Sequence, residues 1–553
     1  MLFNTVTYAY FFTAVFAVTW LLRPWQKVRL FVMLVASYVF YAGWTFVGWD
    51  ALLAAQGKDR LGLIFESVKF VPLLFVGTSV DYYLGVWLDR ITEARRRKAM
   101  LVTTVLINVG ILVFFKYWNW GADSFLWLFR DTLGYALPDI HLRVELPIGI
   151  SFFCFMSLSY VIDVYRRTIP ACQSYLQYLT YISFFPHLVA GPIVRGRDLL
   201  PHLERPTHLT AATGSEGLVL IATGLFKKVV IGDYLATNFV DRVFAEPTSF
   251  SSVETLFAMY GYAVQVYVDF SGYSDVAIGS ALLLGYRFRI NFDQPYKAAD
   301  LASFWRRWHI SLSSWLRDYV YVPLGGGRHG KVRKYFNAFA TMVLCGIWHG
   351  ASGNFVFFGC VHGLAVSLTH AFQELRTAAG GHKKKVLLAA AVSLVLDQAI
   401  SHLFLALGLP GIARLPHLLL AGAWVVGLAT IGLERALGTK SEWPVRILGV
   451  AGTFTFTGIA FAIFRATTLE KTSAIYERLF TFTTYTPNLH PKVVLVMLGA
   501  LLMQWLPRSW SELARDRFVA APAVAQAFVL FCLALALRQA AAMEAVPFVY
   551  FQF

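Results

Sequence analysis

Residues 95–118 read RRRKAMLVTTVLINVGILVFFKYW. Four consecutive cations give way to twenty residues that carry one charge, Lys116. A helix of that length crosses a hydrocarbon layer of about 30 Å. Inside the layer no water is available, so each backbone N–H and C=O must pair within the segment. The run is apolar on all sides and lacks the alternation of a barrel strand, so it reads as a membrane helix. Its cationic flank marks the end retained in the cytoplasm.

The same pattern recurs along the chain. Further apolar stretches cover 3–22, 30–48, 70–88, 146–164, 176–194, 215–236, 254–270 and 273–290, then 335–350, 354–373, 386–409, 416–434, 445–464, 492–506 and 519–540. Some are short or polar, so roughly 11 to 14 true crossings are expected. With 57% hydrophobic and 14% charged residues, a soluble globule lacks the polar surface it needs. The fold class is therefore all-α and polytopic. No repeat, low-complexity stretch or soluble module interrupts 1–553, which reads as one membrane domain with a motif core at about 140–370 and C-terminal helices in 386–553. Met1–Leu22 has no basic n-region or small-residue cleavage site and reads as a first span.

The net charge is +16. The cations sit in short loops, which argues against nucleic acid as a partner and for loops held in the cytoplasm, in contact with the lipid bilayer. Arg23, Lys27 and Arg29 follow the first span, Arg90, Arg95, Arg96, Arg97 and Lys98 the third, and Arg166 and Arg167 the fifth. The intervening loops 50–69 and 119–145 mix Asp50, Asp59, Glu66, Asp123, Asp131, Asp139 and Glu145 with few bases. That asymmetry places the N-terminus outside. Of the cysteines, Cys154, Cys345, Cys360 and Cys532 lie in apolar runs and Cys172 does not; no CxxC or disulfide framework appears.

Segment 291–334, NFDQPYKAADLASFWRRWHISLSSWLRDYVYVPLGGGRHGKVRK, is too polar to span and too aromatic for a linker. From Asp300 to Tyr319 it fits one amphipathic helix with Trp308, Leu312, Trp315 and Tyr319 on one face and Asp300 as N-cap. Gly325, Gly326 and Gly327 end it. Such a helix lies at the interface or re-enters the protein.

Ionisable groups inside a membrane are costly and mark function by default. His349, in LCGIWHGAS, and His309, in FWRRWHISLS, stand out. Imidazole takes and returns a proton near neutral pH; a lone membrane histidine is also often a hydrogen-bonded core residue. A metal held by His349, His362 and His309 lacks a completing spacing such as HExxH, so no metal is expected. The stretch Asp269-Phe-Ser-Gly-Tyr-Ser-Asp275 reads either as a polar turn between spans or as irregular backbone lining a cavity. Ser271, Tyr273 and Asp275 are its candidate contacts, with Asp269. Arg306 and Arg307 suit a phosphate, and suit the lipid headgroups slightly better. Trp305, Trp308, Trp348 and Asn354 complete the candidate donor- or substrate-binding set.

Several segments together carry a family resemblance. They are SVDYYLGVWLDR (79–90), LPIGISFFCFMSLSYVIDVYR (146–166), YISFFPHLVAGPIVR (181–195), GLFKKVVIGDYLA (224–236), YVDFSGYSDVAIGSALLLGYRFRINFDQPY (267–296), FWRRWHISLSSWLRDYVYVPLGG (304–326), GIWHGASGNFVFFGCVHG (346–363), FAIFRA (461–466) and FVYFQF (548–553). Nearly end to end, the chain resembles the membrane-bound O-acyltransferase superfamily, in its bacterial alginate O-acetyltransferase-like branch. The resemblance implies a ring of tilted transmembrane helices, with re-entrant or interfacial helices, around a central tunnel. It implies His349 as catalytic histidine and His309 as its partner. It further implies a bacterial inner-membrane enzyme with acetyl-CoA as co-substrate and no tightly bound cofactor. The acceptor is then an exported polysaccharide, reached through a periplasmic acetyltransferase partner. Extra sequence around 50–68 and within 374–445 departs from the family pattern and leaves substrate and partner open. D-alanyl, lipid or peptidoglycan acyl transfer on the same fold, a transporter, and a non-catalytic export scaffold are the alternatives.

Overall fold

The computed structural model describes residues 2–43, 58–139, 142–377, 397–398, 400–437 and 443–540. Parts of the expected 30–48 and 386–409 spans, residues 50–57 of the 50–68 insertion and the FVYFQF terminus lie outside them. Among the described residues the chain is helical, with no strand. The Ala94–Leu126 helix, which contains the opening stretch, shows why it belongs in lipid. Its buried positions are Arg97, Thr104, Asn108 and Leu112, whereas Val102, Leu106, Val113 and Phe114 are exposed. A helix in water turns its apolar face inward. Here the polar stripe faces the protein and the apolar face is left for hydrocarbon.

By length and composition four described helices can cross a membrane: Gly62–Arg90, Ala94–Thr132, Gly353–Ala371 and Arg446–Arg465. Pro491–Trp505 and Arg508–Ala520, bent by 90°, make a fifth if they count as one span. The apolar helices Val6–Leu21 and Ile150–Tyr165 have 16 residues each. They fall below the usual spanning length, and among the described residues up to five spans meet it, against the roughly 11 to 14 expected of the whole chain.

The chain forms two compact units. One comprises the described residues of Met1–Phe226, Gly272–Ile290 and Glu512–Gln552; the other comprises those of Lys227–Ser271 and Asn291–Ser511. In the first, two cations read from sequence as cytoplasmic loop charges prove to be internal fasteners. Arg97 donates to the carbonyls of Leu88 (2.8 Å), Ile91 (3.1 Å), Val164 (3.1 Å) and Tyr165 (3.0 Å). These are orphan carbonyls at the ends of the Val71–Arg90 and Ile150–Tyr165 helices, and a guanidinium with five N–H donors satisfies both ends at once. Arg29 is fully buried, donates to the Leu284 carbonyl (2.7 Å) and Thr207, and lies over the Trp20 ring. Burial fixes both groups in the fold, so neither is a free loop charge.

In the second unit, helices Lys331–His349 and Gly353–Thr377 form a tight hairpin. A Cβ on Gly346 would collide with the Phe355 carbonyl and stand 2.8 Å from the Gly359 backbone. A Cβ on Gly359 would lie 2.7 Å from the Met342 carbonyl, and one on Gly363 2.9 Å from that of Phe339. The glycines of GIWHG and FGCVHG thus let two helix backbones touch. At the far end, Lys331 (2.9 Å) and Lys334 (2.8 Å) clasp Glu374. Lys334 first, then Lys331, hold its carboxyl down, at about 2.

Two sequence expectations change. Asp269–Asp275 is neither a turn nor irregular: one helix, Ser252–Leu283, runs straight through it. Asp269 pairs with Lys228 at 2.5 Å, so at that end the helix has no need to open. The single helix expected over Asp300–Tyr319 is two, Leu301–Arg307 and Ile310–Leu316, followed by a π-helical turn at Arg317–Tyr321. The break falls on Trp308-His309. The apolar stripe survives it, with Trp308, Leu312, Trp315 and Tyr319 all buried. Asp300 caps as expected, accepting from the Ser303 N–H at 2.8 Å.

Candidate active site

His309 interrupts the two short helices because its backbone is left-handed, with φ 44° and ψ 56°. That region costs a non-glycine residue about 1–2 kcal/mol, and such strain persists only where the surroundings impose it. Asn291 supplies the constraint. Its backbone carbonyl accepts from Ile310 N–H (2.8 Å). Its side-chain oxygen accepts from Ser311 N–H (3.1 Å) and Ser311 Oγ (2.9 Å), and faces His309 Nδ1 at 3.2 Å. An amide oxygen only accepts, so His309 carries its proton on Nδ1 and Nε2 is an acceptor. The ring is fully buried, edge-on to Phe270 with centroids 4.6 Å apart.

His349 is the last residue of the Lys331–His349 helix, and Gly350 turns the chain out with φ −166°. A Cβ at Gly350 would fall inside the Phe355 ring, so the turn after His349 has room only for glycine. The imidazole is edge-on to Phe464 (5.1 Å) and Phe358 (6.3 Å), and its Nε2 lies 3.8 Å from Cys345 Sγ. A helix C-terminus carries about half a negative charge, which favours a cation formed there during a reaction.

The two histidines, 40 residues apart in sequence, meet on one side chain. The Trp348 indole is 6.2 Å from the His309 ring and 4.9 Å from the His349 ring. Both imidazoles are at least nine-tenths buried, as is Trp348. Around them stand Phe270, Phe292, Phe358 and Phe464. Such a wall excludes water and strengthens any electrostatic interaction inside it.

The other candidates divide. Asn354 is buried and donates to the Ala466 carbonyl at 2.5 Å, tying the segment after His349 to the end of FAIFRA. Trp305 is buried against His362, with centroids 5.2 Å apart. Trp308 is a core residue, packed on Phe292 (5.1 Å), Phe304 (5.5 Å) and Phe461 (5.1 Å). Arg307 is held by Asp293, through its carbonyl (3.0 Å) and its carboxylate (3.6 Å), whereas Arg306 is exposed. Asp269 is buried in an ion triad with Lys228 and Asp233, on the same helix as Phe270. Ser271 is buried beside it. Tyr273 and Asp275 belong to the first unit, where Tyr273 stacks on Phe3 at 4.5 Å. Sequence reading missed Asn291 as the residue that orients His309. Its only local signal is its place at the head of the polar aromatic segment. Among the described residues, no three His, Cys, Asp or Glu converge as a metal site requires.

Comparison of the sequence with known proteins points to one family. The profile of MBOAT, the membrane-bound O-acyltransferase family, aligns with residues 172–388, which contain both histidines. The chain is 39% identical to a probable alginate O-acetylase of Pseudomonas syringae pv. tomato over 67% of its own length and 66% of the relative's. It is 32% identical to a peptidoglycan O-acetyltransferase of Helicobacter pylori over 68% of this chain and 71% of that one. A teichoic acid D-alanyltransferase of Bacillus subtilis is 27% identical over 41% and 60%, respectively. The aligned part thus spans about two thirds of the first two relatives. With two buried imidazoles on one indole in an apolar helical chain, and with these relatives, the protein belongs to the membrane-bound O-acyltransferase family.

Proposed function

We propose that this O-acyltransferase moves acetyl from cytoplasmic acetyl-CoA toward hydroxyls of an exported polysaccharide, with His349 as general base. The observation that carries the reading is the seating of His309 and His349 on the same Trp348 ring. Thioester-to-hydroxyl transfer is downhill. What it lacks is a base for a poor nucleophile and a donor for the developing oxyanion. His349 takes the acceptor's hydroxyl proton as the oxygen attacks the thioester carbonyl. The carbon–sulfur bond then breaks, and the imidazolium returns the proton to the departing thiolate. The helix C-terminus beneath His349 favours that imidazolium. His309, held by Asn291, positions the acceptor hydroxyl by accepting from it through Nε2.

A basic cluster in the same unit suits the donor's phosphates. Burial, then Arg508, Arg307 and Arg446 around it, push the Lys297 ammonium below its ordinary value; Asp293 offsets them only in part. Asp293 also receives Arg508. Cations gathered around one carboxylate lose mutual repulsion when a phosphate arrives. We place this cluster on the cytoplasmic side of a bacterial inner membrane, with the N-terminus periplasmic and a periplasmic acetyltransferase receiving the acetyl group. Similarity to the peptidoglycan enzyme makes peptidoglycan the second acceptor to consider.

The test uses inside-out membrane vesicles given [14C]acetyl-CoA in the bath. We expect alkali-labile, hydroxylamine-sensitive label on lumenal glycan, with the glycan that carries it naming the acceptor. Equal labelling in vesicles without the protein would refute the proposal.

A further inference from the structure

The catalytic proposal leaves one polar pair unused. His362, fully buried on the Gly353–Thr377 helix, is ringed by Phe358 (centroids 4.4 Å), Trp305 (5.2 Å), Phe456 (5.3 Å) and Phe461 (6.2 Å). Neither of its ring nitrogens has a hydrogen-bond partner among the described residues, and neither does the buried Trp305 Nε1. Ring contacts satisfy an N–H only weakly. A buried donor or acceptor left unmade is costly, and three in one aromatic box is a site awaiting a ligand of matching chemistry. The indole offers a donor, and neutral imidazole one donor and one acceptor. The complement is a group with one N–H and one C=O on a thin apolar chain, which is a secondary amide between methylenes.

The Trp443–Arg465 helix measures where that amide would lie. Arg446, in the basic cluster, and Phe464, against His349, are 18 residues apart on it, about 27 Å at 1.5 Å per residue. Phe456 and Phe461, the residues that touch His362, stand between them, with Phe461 only about 4.5 Å of rise from Phe464. Phe358 bridges the two histidines directly, lying against both His349 (6.3 Å) and His362 (4.4 Å). A donor with phosphates at one end and a thioester at the other therefore passes the box near its reactive end.

We propose that Trp305 and His362 bind the amide of the donor's pantetheine arm nearest the thioester sulfur, and so set the depth at which the acetyl group meets His349. This rests on the acetyl-CoA reading above. The experiment uses the purified full chain in detergent, loaded with [3H]acetyl-CoA. Two competitors of equal chain length displace it: S-acetyl-N-acetylcysteamine, which has the amide, and S-pentyl thioacetate, which lacks it. The wild type should prefer the amide competitor about tenfold over the apolar one. Trp305→Phe and His362→Phe, which keep an aromatic ring but remove its nitrogens, should each shrink that ratio several-fold. His362→Gln, which retains a donor and an acceptor, should restore most of it. Should His362→Phe fail to fold, Trp305→Phe decides alone. Saturable acetyl-CoA binding with a ratio unchanged by the folded variants, as a water-filled box would give, overturns the subsite and leaves the donor reading standing. No saturable acetyl-CoA binding to the wild type overturns the donor reading itself.

Discussion

Replacing His349 by alanine lowers acetyl transfer by about 100- to 10,000-fold, the usual worth of a positioned general base. The protein should still fold. The ring sits at a helix end, in contact with Trp348, Phe358 and Phe464, so its loss leaves the helix backbone intact. Transfer per mole of folded protein, normalised by fluorescence-detected size exclusion, measures it. His349→Gln keeps the side chain polar but cannot accept and return a proton near neutral pH, so it should be nearly as slow. A folded His349→Ala protein with wild-type turnover would remove the base from the mechanism.

Gly346→Ala should damage the fold itself. The added methyl meets the Phe355 carbonyl and the Gly359 backbone, neither of which can swing aside as a side chain can. Overpacking costs about 1–3 kcal/mol, and a clash with rigid backbone falls at the upper end of that range. Because it pushes apart the hairpin that carries His349, activity should fall with stability. Thermal unfolding in detergent should show a clear drop in Tm. Gly499→Ala is the control: a Cβ there meets nothing within 4 Å, and alanine's higher helix propensity leaves Tm unchanged or raised. Equal Tm values for both variants would mean that the two helices are not in backbone contact.

What the sequence made legible follows from which signals are local. The apolar helical character is written in runs of apolar residues, and the Asp300 cap is written in one side chain and its spacing. The buried stripe of Trp308, Leu312, Trp315 and Tyr319 was also readable, because helical periodicity survives a one-residue break. The break itself was not. A left-handed histidine has no local signature, and His309 adopts it because Asn291, 18 residues earlier, binds both its flank and its ring. Likewise Gly272 and its serine and aspartate neighbours suggested an interruption that packing overrode, leaving a continuous helix. Arg29 and Arg97 looked like loop charges because only tertiary structure shows the carbonyls they serve. At the site, both histidines were visible as motifs, but Trp348 as their common neighbour was not, and neither was His362 as anything but a weak metal ligand.

The most direct test of the proposed catalytic pair is a double-mutant cycle on purified protein, comparing turnover of His309→Ala, His349→Ala and the double variant. Residues that serve one reacting group fail as a unit, so the double variant should be no slower than His349→Ala alone, with His309→Ala also impaired. Losses that multiply in the double variant, or a His309→Ala protein as fast as the wild type, would contradict it.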